Sequence, residues 1–315
     1  MATRTDLALE QQELCGECRG AESHTERLGR IEITRTRVLG AAAAKAFQKP
    51  VGQYITVSFD RFLPDDQTGE LHEAIKAELI KLLPKGDGLV LVAGLGNRAI
   101  TPDALGPKAA DGIFATRHVS AHLQKALGLP TLRPVVALQP GVLGQTGMEA
   151  CEMILAAVKE TNPEVVIVID ALAARHFDRL GCTVQLCDSG ICPGSGVHNS
   201  RQEISQKTLN VPVIAVGVPT VVDADRFLLG EPSQEGGRGE KTAEGQRETA
   251  ADINKGSAKK SEKSAAKTVK NTADMMVTPR EIDTVIEYAA KTISHAINCA
   301  LQPELDPEIL LALNY

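Results

Sequence analysis

The chain has no excess of basic residues. Lys and Arg number 34 against 40 Asp and Glu, a formal net charge of -6, whereas a surface that neutralises nucleic-acid phosphates needs the opposite balance. Direct nucleic-acid binding is therefore not expected. No run approaches the roughly 18 apolar residues of a membrane span, and the N-terminus has no signal-peptide core. The expectation is a cytoplasmic protein without membrane attachment. A disulfide framework is missing too: the 7 Cys are scattered as Cys15, Cys18, Cys151, Cys182, Cys187, Cys192 and Cys299, which reads as reduced thiols. Cys15-x-x-Cys18 is at most half a zinc site, and Cys187 and Cys192 are spaced too widely for the other half, so no metal site is assigned.

What the chain does have is enough apolar material, 43% of 315 residues, to bury a core. Its centre is LVLVAGLGNRAITPDALGP, residues 89–107. This opens as an apolar strand, turns through Gly94-Leu95-Gly96-Asn97, crosses an extended Thr101-Pro102 and delivers Asp103 just past the strand's carboxyl end, where open α/β sheets keep their chemistry. A second apolar run, residues 165–169, ends in Asp170 in the same way. These two carboxylates are expected to face each other.

Residues 1–29 are polar and unperiodic and read as a flexible leader. Residues 30–38 and 54–59 alternate as an outer strand pair. Residues 70–83 carry Leu71, Ile75, Leu79 and Leu82 at helical spacing, and helices are also expected at 109–127, 149–161 and 171–180. Short strands are expected at 135–138, 183–187 and 211–217. Such alternation implies an α/β fold with a mostly parallel sheet flanked by helices on both faces. The organisation is then a leader (1–29), a catalytic core (30–229), a low-complexity disordered insertion (230–274) and a C-terminal helix packing on the core (275–315). Thr278-Pro279-Arg280-Glu281 reads as the capping box that opens that helix.

Two acids at apolar strand ends are partly desolvated and compete for one proton, so the pair can activate a water and protonate a leaving amine. The plainer alternative is that each Asp caps a following helix. Gly94, Gly96 and Asn97 loosely match a dinucleotide fingerprint, but Pro102 interrupts the helix that should follow. The glycines read better as a sharp turn bringing Asp103 into a cleft. That cleft is expected to be lined also by Gln139 and Gly141 of a Pro-Gly loop, by Asp188 of an Asp-Ser-Gly turn, and by Ser195 and His198 of a flexible loop. Ser195 and His198 lie too close in sequence for a serine–histidine couple.

Several segments closely resemble the spore germination proteases: GLGNRAITPDALGP (94–107), ALQPGVLGQTGME (137–149), VIVIDALAAR (166–175), DSGICPGSGVHNSR (188–201), VPVIAVGVPTVVDA (211–224) and MMVTPREID (275–283). The resemblance implies a fold similar to hydrogenase maturation endopeptidases, catalysis by the acids matching Asp103 and Asp170, and no cofactor. It implies an endopeptidase of small acid-soluble, DNA-coating spore proteins, working in the forespore and spore core as a homotetramer. It also implies an inactive precursor that trims its own leader. The family cuts after an acid and before a bulky apolar residue and Ala, so Asp6-Leu7-Ala8 marks the expected site, although the acid favoured three positions before Asp6 is Thr3 here. A metal-dependent maturation-type endopeptidase and a non-catalytic nucleotide- or peptide-binding module are the rival readings.

Overall fold

Residues 5–16, 18–62, 69–197, 201–224 and 275–312 are described by the structure, a computed structural model. They fall into two units, Met1–Val222 with Thr278–Tyr315, and Asp223–Val277. The first unit runs α1 (Ala8–Cys15), β1 (Ala21–Leu28), β2 (Ile31–Val38), α2 (Ala41–Phe47), β3 (Gly52–Ser58), α3 (Gly69–Leu82), β4 (Val90–Gly94), α4 (Leu105–Asp111), α5 (Ala121–Ala126) and β5 (Val135–Leu138). It continues with α6 (Leu143–Thr146), α7 (Ala150–Thr161), β6 (Val165–Ala174), β7 (Thr183–Cys187), α8 (Gln206–Leu209), β8 (Val213–Asp223), α9 (Ile282–Leu301) and α10 (Pro307–Ala312). Of the second unit, 223–224 and 275–277 are described, and there the Ala224 N–H donates to the Met275 carbonyl at 2.8 Å. The expected insertion, 230–274, lies outside the described residues.

The strands order as β1-β2-β3-β7-β8-β6-β4-β5. The parallel pairing expected from strand–helix alternation is confined to β8-β6-β4-β5, and the other four pairs are antiparallel. The parallel strands are continuous apolar runs because helices cover both faces. Ile167 and Ile169 of β6 belong to one core cluster with Ile75 and Leu79 of α3 and Ile286 and Ile293 of α9, and Val166 and Val168 to a second with Phe47 of α2 and Ile154 of α7. Each fully buried Ile or Phe contributes about 1.5–3 kcal/mol.

The leader departs from expectation, since residues 8–15 form α1 and residues 21–28 form β1. β1 is an edge strand whose residues are nearly all exposed, so no apolar alternation betrays it. Its pairing is fixed instead by the turn at Gly29, with φ 59°, and by hydroxyl pairs Ser23–Thr36 at 2.8 Å and Thr25–Thr34 at 3.0 Å. The helix expected at 171–180 is absent: β6 continues to Ala174, past a register shift at Leu172/Ala173, because β8 runs alongside it to Val222. Asp170 therefore sits inside a strand, with no helix after it to cap. Residues 109–127 form two short helices rather than one, and 101–103 close a 3-10 turn rather than an extended crossing. α9 begins at Ile282 with Glu281 as its cap; Thr278 turns its hydroxyl to the Thr220 carbonyl at 2.9 Å instead of opening the helix.

Candidate active site

β4 is buried throughout and ends where the Leu95 N–H donates to the Ile169 carbonyl at 2.8 Å. The chain must then double back. Gly96 does this at φ +111°, with the Asp103 carbonyl lying where any Cβ would project, so only glycine fits. The Asn97 N–H donates to Asp103 Oδ2 at 2.8 Å, and the Thr220 hydroxyl donates to the Pro102 carbonyl at 2.8 Å, tying the 3-10 turn to β8. Gly106, in the first turn of α4, lies against the carbonyls of Leu95 and Ile169 so closely that a side chain is excluded. These contacts draw Asp103 toward the β6 residue that follows Ile169, which is Asp170.

Asp170 is 5% exposed, and its Oδ1 accepts the Ala171 N–H at 2.9 Å. Burial, then the charge of Asp103, then that of Asp6, push its carboxyl well above the ordinary Asp range against that bond. Asp103 is also raised, by burial, against the Asn97 N–H. Both carboxyls are thus held toward the protonated form, Asp103 by burial and Asp170 by burial and by the charge of Asp103.

The expected processing segment docks beside this pair. The Asp6 N–H donates to the Ala173 carbonyl at 3.0 Å, and Asp6 Oδ2 accepts the Ala173 N–H at 2.9 Å while Oδ1 accepts the Ser195 hydroxyl at 2.8 Å. Leu7 and Ala8 are fully buried, Leu7 among Leu172, Ala174, Leu180 and Val222. Glu10, also fully buried, accepts the Arg175 N–H at 2.7 Å, the His176 N–H at 2.8 Å and the Thr5 hydroxyl. The leader reads as flexible because, among its described residues, buried apolar side chains are confined to Leu7 and Ala8, and Asp6 and Glu10 hold it by accepting backbone N–H groups, which leaves no apolar period.

The Asp6 carbonyl is itself held by two donors, Lys49 Nζ at 2.9 Å and Gln185 Nε2 at 2.9 Å. Lys49 also donates to the Thr5 carbonyl at 3.0 Å, and Gln185 Oε1 accepts the Ala8 N–H at 2.6 Å. Burial lowers the Lys49 ammonium below the usual lysine range, opposed by the charges of Asp6, Cys187 and Glu10. Gln185 pairs with Gly217 across β7–β8, and Gly217 pairs with Asp170 across β8–β6. Paired residues point to one face of a sheet, so Gln185 and Asp170 flank Gly217, against which the Leu172 side chain packs. A cavity of ≈ 260 Å³ opens there, lined by Asp6, Lys49, Gln185, Cys187, Ser195 and Gly217 among others.

The remaining expected cleft residues stand on several separate turns. Gly94, Gly96 and Asn97 stand at the Asp103 turn, and Gln145 reaches Asn97 Oδ1 at 2.8 Å. Gln139 is exposed and bonded to Asp111, which also accepts from Arg98 of the Asp103 turn, and Gly141 turns the same loop at φ 69°. Asp188 is exposed and accepts the Gln53 N–H at 2.7 Å just past the end of β7, next to Ser189 of the cavity lining. His198 lies outside the described residues. Glu10, Lys49 and Gln185 escape sequence reasoning. The one available signal is Gln185, a lone amide in the buried strand Thr183–Cys187. Among the described residues no three His, Cys, Asp or Glu side chains stand together so as to hold a metal ion.

Comparison with known proteins agrees with the resemblance. The germination protease family model matches residues 2–228. The germination protease of Clostridium tetani is 39% identical over 318 residues, covering 98% of both chains. That of Caldanaerobacter subterraneus is 40% identical, covering 97% of this chain and 96% of its own, and that of Priestia megaterium is 35% identical, covering 98% and 95%. Among solved structures, a hydrogenase maturation protease from Thermococcus kodakarensis matches with a TM-score of 0.30 and 15% identity, over 45% of this chain and 80% of that one.

Proposed function

The chain belongs to the germination protease family, and we propose that it is a self-activating, aspartic-type endopeptidase that degrades small acid-soluble spore proteins during germination. In this reading the ionised member of the Asp103–Asp170 pair takes a proton from water as it adds to the scissile carbonyl. The protonated member supplies the departing amine. The first bond cut is its own, between Asp6 and Leu7. Work in the forespore and spore core and assembly as a homotetramer belong to the same proposal.

The observation that carries the reading is the position of Asp6, bonded to Ala173 three residues beyond Asp170 on one strand and contributing to the raised Asp170 carboxyl. An acid before the cut meets the Ser195 hydroxyl and the Ala173 N–H; the apolar residue after it meets the pocket around Leu172. The test is to incubate the purified chain with a purified small acid-soluble spore protein and sequence the new termini by mass spectrometry. Cuts after acids and before bulky apolar residues are expected, and intact substrate would refute the reading.

A further inference from the structure

Resting on the proposed cut between Asp6 and Leu7, we propose that Lys49 and Gln185 are further catalytic residues, two donors that stabilise the negative charge developing on the scissile carbonyl oxygen. The geometry is that of an oxyanion site. Two N–H donors from different elements converge on one carbonyl oxygen, each at 2.9 Å, within the range that such donors require.

The acids Asp6 and Glu10 support the charge of Lys49 against its burial, yet neither carboxylate accepts a hydrogen bond from it. Drawing an ammonium out of water is costly, and the hydrogen bonds it gains run to two neutral backbone carbonyls, Thr5 and Asp6. A neutral donor would serve that end at less expense. The charge becomes useful when the oxygen it touches turns anionic. Gln185 is equally specific in what it holds: Nε2 meets the carbonyl before the Asp6–Leu7 bond, and Oε1 meets the N–H of Ala8. It brackets Leu7 from both sides, from a strand position that Gly217 alone separates from Asp170 in the sheet.

The step balances without any further reactant. Water adds to the Asp6 carbonyl carbon and gives one proton to the ionised acid, and the carbonyl π pair moves onto oxygen between Lys49 and Gln185. When the C=O bond re-forms, the C–N bond to Leu7 breaks, and the nitrogen leaves with the proton of the other acid. Once Leu7 is the new N-terminus, the same donors receive the carbonyl of an incoming substrate.

The test uses the full chain for self-trimming, followed by mass spectrometry, and the trimmed product acting on a synthetic peptide of residues 1–12. Lys49→Met and Gln185→Glu are compared with the parent; the latter keeps an acceptor for Ala8 and loses the donor. Each is expected to lower kcat on the peptide about 100-fold with little change in KM. Thermal melting checks folding, and should Lys49→Met fail to fold, Gln185→Glu decides. Folded variants that raise KM and keep kcat would overturn the proposal, because the donors would then only bind. A parent chain that never trims between Asp6 and Leu7 would instead remove the reading beneath it, and that outcome is seen before any variant is made.

Discussion

Asp6 and Ala173 hold each other by two hydrogen bonds, N–H to carbonyl at 3.0 Å and carboxylate to N–H at 2.9 Å. In the proposed self-cleavage the second of these, with the Ser195 bond, would select an acid at this position. Hydrogen bonds to a charged group are worth about 1.5–3 kcal/mol each. Asp6→Ala is therefore expected to slow self-trimming by at least about tenfold, measured as loss of the N-terminal segment by mass spectrometry. Trimming at the parent rate would remove Asp6 from specificity.

Leu7 is fully buried in its own apolar cluster. In the untrimmed chain Leu7→Ala leaves a cavity and is expected to cost about 2–5 kcal/mol of stability, read from chemical denaturation. A cost near zero would mean that the segment is not docked in solution.

Asp170 carries a pH signature opposite to that of a salt-bridged acid. Its folded pKa is raised, so its stabilising contribution is complete below the unfolded value, about 3.9, and is lost as pH rises through the folded one. Asp170→Asn keeps an acceptor for the Ala171 N–H and cannot ionise. The variant is expected to melt higher than the parent near neutrality, with the gap closing toward about pH 4. A gap that widens on acidification would reverse the assigned shift.

Gly96 has φ +111° and abuts the Asp103 carbonyl. Gly96→Ala is expected to cost about 1–3 kcal/mol in strain and to abolish peptide cleavage by displacing Asp103. Calorimetry and a peptide assay read both, and an active variant would detach the turn from the chemistry.

The parallel half of the sheet is legible because strands covered on both faces must be apolar for their whole length, and Val165–Ile169 and Leu89–Ala93 have no other reading. The two acids stand out against those runs for the same reason. The end of β6 is not legible, since what keeps Ala171–Ala174 extended is its pairing with β8 and Asp6, contacts distant in sequence. α1 and β1 are hidden because polar groups hold them: Glu10 binds backbone N–H groups, and Ser23 and Thr25 bind hydroxyls across the hairpin. Lys49 is hidden most fully. Ahead of Pro50 it reads as a solvated loop cation, and only the fold turns it onto the Asp6 carbonyl.

In the proposed mechanism Asp103 and Asp170 act as one proton-sharing pair. Asp103→Asn and Asp170→Asn, made separately, should each leave the Asp6–Leu7 bond intact when the full chain is held under mildly acidic, dehydrating conditions and its N-terminus is followed by mass spectrometry. Trimming by either variant at the parent rate would contradict it.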